Sequence, residues 1–316
     1  MKICILDKGS MGEDTPFDPI FKFGNVEIYN STSQDEVAGR IEDADIVITN
    51  KVKITEQIIS QAKKLKLICV FATGFDNIDI VAAKACGVAV CNVPGYSTDS
   101  VALLTVATVL SLYSHLNEYN DYVKSGKYSE SGIANRLVPV FHELKGKTWG
   151  IVGLGNIGRA VAKVAIAFGA EVIVNKRTPV DDFKCVDIDT LCKESDIITL
   201  HCPLNNDTKE LINEKRLSLM KKDAILVNEA RGAVVDESAV ANAIKTNTIG
   251  GFGCDVYSRE PFGAEHPYSE IMNLPNVLLT PHAAWGAYEA RARCVNTISA
   301  NIQSFLDGKI LNRVDI

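Results

Sequence analysis

Three short stretches carry the side chains able to do chemistry: Asn228-Glu229-Ala230-Arg231-Gly232, Asp255-Val256-Tyr257-Ser258-Arg259-Glu260-Pro261 and Thr280-Pro281-His282-Ala283-Ala284-Trp285. Each follows a strand-like apolar run, so all three are expected at one edge of a parallel sheet, pointing into the same cleft. They supply a guanidinium at Arg231, a carboxylate at Glu260 and an imidazole at His282. A guanidinium grips a carboxylate through a fork of two hydrogen bonds and polarises a neighbouring carbonyl. An imidazole titrates near neutrality and can give a proton to a developing alkoxide, while a nearby carboxylate fixes its orientation. Beside a nicotinamide, that set suits reduction of a 2-keto acid. Singly, each residue has a plainer reading, as a satisfied structural histidine or a solvated loop charge. Asp255, at a strand end among small residues, either accepts from the nicotinamide side or caps a loop.

The nicotinamide is suggested by Lys145 to Thr178, which reads as strand, turn, helix, strand. The apolar run Thr148 to Val152 ends in Gly153-Leu154-Gly155-Asn156-Ile157-Gly158, and a second β-branched run follows at Val172 to Val174. In that order the glycines form a dinucleotide fingerprint. Gly153 permits the tight turn, Gly155 lets the backbone approach a pyrophosphate, and Gly158 lets helix and strand pack closely. Where a carboxylate usually meets the ribose hydroxyls, this chain has Asn175-Lys176-Arg177-Thr178. Two cations suit a 2′-phosphate, so NADP(H) is the expected cofactor and NAD(H) the alternative. His201-Cys202-Pro203-Leu204, at another strand end, is expected to line the adenosine pocket. A second candidate anion site is Ala72-Thr73-Gly74-Phe75-Asp76-Asn77, a turn between strand and helix whose backbone N–H groups can hold a carboxylate. His115, His142 and His266 read as structural or surface residues.

These side chains need two scaffolds. At 316 residues and 47% apolar, the chain exceeds what one core usually supports. In the first part, Ile3 to Leu6, Ile46 to Thr49, Leu67 to Phe71 and Val88 to Asn92 read as strands, with helices at Thr55 to Lys63 and Asp79 to Cys86 between them. In the second, Ile197 to His201, Ala224 to Asn228, Ile249 to Asp255 and Val277 to Thr280 continue the fingerprint unit, with a clear helix at Asp236 to Lys245. The expected fold class is α/β: two Rossmann-like or flavodoxin-like, doubly wound parallel-sheet domains with the active-site cleft between them. Ser97 to Leu116 reads as one long helix buried nearly all round, crossing between domains. Residues 124–143 lack periodicity and read as a surface loop. The last helix, Ala287 to Leu306, is expected to return to the first domain. The expected boundaries are 1–98 plus 287–316 for the substrate domain and 99–286 for the dinucleotide-binding domain.

Composition excludes other classes. A net charge of −6 with 23% charged residues carries no basic stripe for nucleic acid. The N-terminus, MKICILDKGSMG, is too short an apolar run for a signal peptide or membrane span, so a cytoplasmic protein is expected. Nine cysteines without a CxxC argue against a disulfide framework or a metal site.

Taken together, the chain resembles the D-isomer-specific 2-hydroxyacid dehydrogenases over essentially its whole length. The matching stretches are ATGFDNID, NVPGYSTDSVA, GLGNIG, HCPLNNDT, NEARGAVVDESA, DVYSREP and TPHAAW. The resemblance implies that Arg231 binds substrate, His282 is the acid/base and Glu260 is its partner. It implies further that the Thr73-Gly74 backbone helps to hold the substrate carboxylate and that Asp255 faces the nicotinamide. Within the matched stretches, Thr208, Asn228, Glu229, Ala230 and His282 are expected at the cofactor and Trp285 at the substrate. The wording looks most like the glycerate dehydrogenase or hydroxypyruvate reductase branch, with hydroxypyruvate or glyoxylate as substrate and a homodimer as the family's assembly. D-lactate or phosphoglycerate is the alternative substrate, and a dinucleotide-sensing, corepressor-like protein the alternative class. The chain departs from the family at Leu103-Leu104, where Gln or Glu and then His often stand. It also stops without the C-terminal regulatory domain of some longer relatives, so feedback control of that type is not expected.

Overall fold

Strands this apolar on both faces need cover on both faces, which parallel sheets obtain from crossover helices. In a computed structural model, which describes residues 1–316, every strand pairing is parallel. The chain separates into one unit of Met1–Ser97 with Gly286–Ile316 and another of Thr98–Trp285.

The first unit holds β1 (Lys2–Ile5), β2 (Asn25–Ile28), β3 (Ile46–Thr49), β4 (Leu67–Val70) and β5 (Ala89–Cys91). Their order is β2-β1-β3-β4-β5, so the winding reverses between β1 and β3. The helix Tyr288–Leu306 packs against β4 and the short helix Asp18–Phe21, burying Ala290, Cys294, Val295, Ile298 and Ile302. Its Arg291 donates to Met11 O at 3.0 Å, to both oxygens of Asp14 at 2.5 and 2.9 Å and to Thr15 Oγ1 at 2.8 Å. The tail is held too: Asp315, buried and paired with Arg313 at 2.5 Å, accepts from Val90 N at 2.8 Å.

The second unit holds β6 (Thr148–Val152), β7 (Glu171–Asn175), β8 (Lys184–Cys185), β9 (Ile197–Leu200), β10 (Ile225–Asn228), β11 (Gly251–Cys254) and β12 (Val277–Leu279). The order β12-β11-β10-β9-β6-β7-β8 puts the reversal between β6 and β9, beside the glycine turn. One face is covered by the helices Thr98–Tyr113 and Asn156–Ala167, which pack on each other.

The long helix expected from Ser97 to Leu116 is in fact Thr98–Tyr113 followed by Leu116–Lys124, because His115 adopts a left-handed φ of 52°. Nor is it buried all round: Val101, Ala102, Thr108, Val109 and Leu112 face the core, whereas Leu103 is 69% exposed. Residues 124–143 are not all loop, since Lys127–Ser131 is helical between the left-handed Gly126 and Gly132. β2 and β8 escaped notice because one is a half-buried edge strand and the other has two residues. No single helix is long and apolar enough to cross a membrane.

Candidate active site

β10 ends in a turn that braces itself. Asn228 is buried; its Nδ2 donates to Arg231 O at 2.9 Å and its Oδ1 accepts from Ala230 N at 3.1 Å. What Asn228 gives the site is therefore the shape of this turn. Arg231 is exposed, and its guanidinium spends one N–H on Ala230 O at 2.8 Å, leaving the rest of the fork for a ligand.

β11 ends in Asp255, whose carboxylate caps a loop, one of the two readings its position allowed. It accepts from Thr280 Oγ1 at 2.6 Å and from Ala283 N and Ala284 N, each at 2.8 Å. These bonds fold the 280–284 segment around the carboxylate and hold His282 in the left-handed region, at φ 53°. A non-glycine residue is rarely found there, and one at a ligand-facing turn indicates that its side chain is being aimed.

The aim is toward Glu260. His282 Nδ1 lies 2.6 Å from Glu260 Oε2, and Glu260 Oε1 accepts from Tyr257 N at 3.0 Å. An ionised carboxylate only accepts, so Nδ1 carries the proton in this pair and Nε2 is left to exchange a proton with a ligand. Tyr257 also donates through its hydroxyl to Thr280 O at 2.8 Å, which ties the second stretch to the third. The first joins them by close packing. A Cβ on Gly232 would come within 2.1 Å of the Tyr257 carbonyl carbon and Ser258 N, so only glycine lets Arg231 and Glu260 share one edge.

The glycine turn lies at the end of β6. Gly153 has φ 91° and donates to Asn175 O at 2.9 Å; a Cβ there would meet the His201 and Cys202 backbone at 2.7 Å. A Cβ on Gly158 would strike Gly153 O at 2.2 Å. Above Gly155 the space is open, with no atom within 4 Å of a built Cβ, and no side chain caps the helix it precedes. The first-turn N–H groups, including Asn156 and Ile157, thus point into space that a pyrophosphate fits.

His201 has both ring nitrogens buried without a partner, and burial pushes its imidazole down to about 3, so it is a neutral packing group and not a proton donor. Cys202 is buried beside it, its thiol pushed up to about 11 by desolvation. Thr208 donates to Pro203 O at 2.6 Å and accepts from Asn205 N at 2.8 Å, shaping the turn at that end. At the β7 end, Asn175 is spent on Val186 O at 3.0 Å. Lys176 is half-buried and Arg177 and Thr178 are exposed; neither cation has an ion pair or hydrogen bond in the protein. The carboxylate near them, Asp182, is taken by Arg159 at 2.5 Å.

Glu229 has its side chain away from this edge. Ile225 and Val227, four and two residues before it, pack toward the helix Thr98–Tyr113, and the strand's alternation sends Glu229 the same way. Only its backbone is available to a ligand, as for Ala230. Trp285 is half-buried.

In the first unit, Thr73 spends its hydroxyl on Val93 O at 2.9 Å and its carbonyl on Asn92 Nδ2 at 2.8 Å. The N–H groups of Thr73 and Gly74 donate to no acceptor in the protein. Gly74 does not have a positive φ, so the turn does not by itself require glycine.

Reading the sequence residue by residue missed Glu237, Ser258 and His266, which hold the Glu260 segment in place. Glu237 lies in the first turn of a helix legible in the sequence, and His266, read as structural or surface, is buried. No group of His, Cys, Asp and Glu side chains is placed to hold a metal ion.

The model of the D-isomer specific 2-hydroxyacid dehydrogenase NAD binding domain matches residues 106–284. The chain is 38% identical over 302 residues to a glyoxylate reductase of Thermococcus litoralis, covering 92% of this chain and 90% of that protein. It is 35% identical over 314 residues to a glycerate dehydrogenase of Methylorubrum extorquens, covering 99% of each. Among solved structures it is similar to an acyclic imino acid reductase, Bsp5, in complex with NADPH and D-Arg, with a TM-score of 0.86 and 33% identity over 99% of this chain and all of that one.

Proposed function

Because the chain belongs to the D-isomer specific 2-hydroxyacid dehydrogenases, we propose that it reduces a small 2-keto acid, hydroxypyruvate first and glyoxylate second, to the D-2-hydroxy acid. The observation that carries this reading is the 2.6 Å His282–Glu260 pair on the same sheet edge as an Arg231 fork with donors to spare. The nicotinamide, when bound, supplies the hydride. Arg231 holds the substrate carboxylate in its fork and polarises the adjoining carbonyl. Thr73 and Gly74 offer two unspent backbone N–H donors suited to a carboxylate on the first unit, and Trp285 is a further substrate residue on the second. His282 Nε2 delivers a proton to the carbonyl oxygen as negative charge develops there, while Glu260 keeps the ring in the tautomer and orientation that make this possible. The dinucleotide is held at the uncapped helix start after Gly155, with Cys202, Pro203 and Thr208 at the adenosine end.

Lys176 and Arg177, free of protein partners, favour a 2′-phosphate, so NADPH is the preferred cofactor. The likeness to a protein solved with NADPH agrees with that, although the family model is named for NAD. The test is a spectrophotometric panel of hydroxypyruvate, glyoxylate, pyruvate and a phosphorylated keto acid with each cofactor. Hydroxypyruvate with NADPH is expected to give the highest kcat/KM. No turnover of any keto acid would sink the assignment; a higher kcat/KM with NADH would overturn only the cofactor preference.

The protein acts as a cytoplasmic homodimer in this reading. Its nine cysteines are all free thiols, which suits a reducing compartment. Ile133, Leu137, Val138, Val140 and Phe141 form an exposed apolar run that a second copy would cover. Sedimentation equilibrium is expected to return twice the chain mass, and a monomer at micromolar concentration would exclude this role for the run.

A further inference from the structure

The proton-donating pair depends on where Glu260 stands, and Glu260 sits in a long connection, residues 255–276, between β11 and β12. A connection of that length holds a carboxylate to within a fraction of an ångström only if something anchors it. The anchor is a second carboxylate, Glu237, on the first turn of the helix Glu237–Lys245. Its Oε1 accepts from Ser258 N at 2.8 Å and its Oε2 from Ser258 Oγ at 2.5 Å. The same Oε2 lies 3.0 Å from His266 Nε2, off the line of a straight hydrogen bond. His266 Nδ1 accepts from Tyr268 N at 3.2 Å, which leaves the ring proton on Nε2, facing Glu237. The Glu237 and His266 side chains are only 11% and 7% exposed, while Ser258 stands at the surface and reaches in to the Glu237 carboxylate.

Glu237 therefore holds the connection before Glu260 by two hydrogen bonds to Ser258 and touches it again beyond Glu260 at His266. Between the two points the segment packs on itself, with the Tyr257 ring against Phe262 at 4.7 Å and Phe262 against His266 at 4.8 Å. Gly232 supplies the floor under Tyr257 and Ser258.

The geometry assigns Glu237 as a positioning residue for the reaction: by holding Ser258 and His266 it sets the reach of Glu260 to His282. The assignment rests on the acid/base reading of that pair, and its test separates the two. In a double-mutant cycle, Glu237→Gln is expected to lower kcat about 30-fold while the keto-acid KM stays within about threefold, because a misplaced acid slows the chemical step without weakening binding. In a Glu260→Gln background the same change is expected to cost almost nothing further, since Glu237 acts only through Glu260. Ser258→Ala, which removes one bond and no charge, is expected to show a smaller loss of the same kind and covers the case in which Glu237→Gln folds poorly. A second readout needs no turnover. The Nδ1 proton shared by His282 and Glu260 is expected as a low-field proton resonance in the wild type, lost in Glu260→Gln and broadened or shifted in Glu237→Gln. Equal kcat losses from Glu237→Gln in both backgrounds, or an unchanged resonance, would overturn the assignment. A resonance that Glu237→Gln perturbs in a protein that turns over no keto acid supports the anchor and sinks the acid/base reading alone.

Discussion

His282→Asn is expected to lower kcat with hydroxypyruvate by about 10³-fold while leaving the Kd for NADPH within about threefold of wild type. Asparagine is the informative replacement because of the backbone. His282 sits at φ 53°, a conformation that Asn tolerates better than most residues, so the 280–284 turn held by Asp255 keeps its shape. What is lost is the group that carries a proton to the substrate oxygen. Cofactor binding depends on the glycine turn, at the far side of β9 and β10 from β12, and is expected to persist. Steady-state rates together with NADPH fluorescence titration measure both. A kcat within tenfold of wild type would remove His282 from its role, and an unfolded variant would be evident from its circular dichroism.

The second large effect is expected on stability. Glu229→Gln is expected to raise the melting temperature, and to raise it more at pH 8 than at pH 5. β10 and β11 pair with Asn228 opposite Cys254, which sets the next residues, Glu229 and Asp255, side by side. Like charges at directly opposed positions repel. Asp255 accepts from three donors. Glu229 is 7% exposed, with Thr108 beside it but no properly formed hydrogen bond to either oxygen. Desolvation first, and the charge of Asp255 second, push its carboxyl up to about 9.

The folded protein thus holds a proton on Glu229 that the unfolded chain releases above its ordinary value of 4.5. The stability tied to that proton is fully present below the unfolded value and is lost as pH rises toward the folded one, by about 1.4 kcal/mol per pH unit. At pH 8 the loss is on the order of 5 kcal/mol, and at pH 5 it is below roughly 1 kcal/mol. Glutamine keeps the shape, cannot ionise and offers Asp255 a donor. Thermal melts at the two pH values test this. A melting-temperature difference that is the same at pH 5 and pH 8, or a variant less stable at pH 8, would show that Glu229 does not carry the proton.

What could be read from the chain beforehand follows a physical pattern. The glycine turn was legible because its glycines sit together between a strand and a helix, although the backbone that crowds Gly153 belongs to the distant His201 and Cys202. Arg231, Glu260 and His282 were legible because each follows a strand, and parallel strands deliver their ends to one edge. The break at His115 was not, since an apolar run of that length gives no warning of a single left-handed residue. Glu237 was hidden for a different reason. Its role depends on Ser258 and His266, 21 and 29 residues away, and a first-turn acid beside the N-cap Asp236 already has a sufficient local explanation. Glu229 was expected at the cofactor, and its proton was hidden because only the register with β11 puts Asp255 beside it.

The return of the chain to its first unit has a consequence for how the protein is made. Thr98–Trp285 is contiguous and can fold as soon as it leaves the ribosome, with its whole sheet in hand. The residues synthesised first cannot finish. β4 lacks the helix Tyr288–Leu306, the Met11–Thr15 turn lacks Arg291, and β5 lacks Asp315 until residues 288–315 have been made. Met1–Ser97 therefore waits through the synthesis of 188 residues with apolar strands incompletely covered, and of the two units the one that starts earlier closes later.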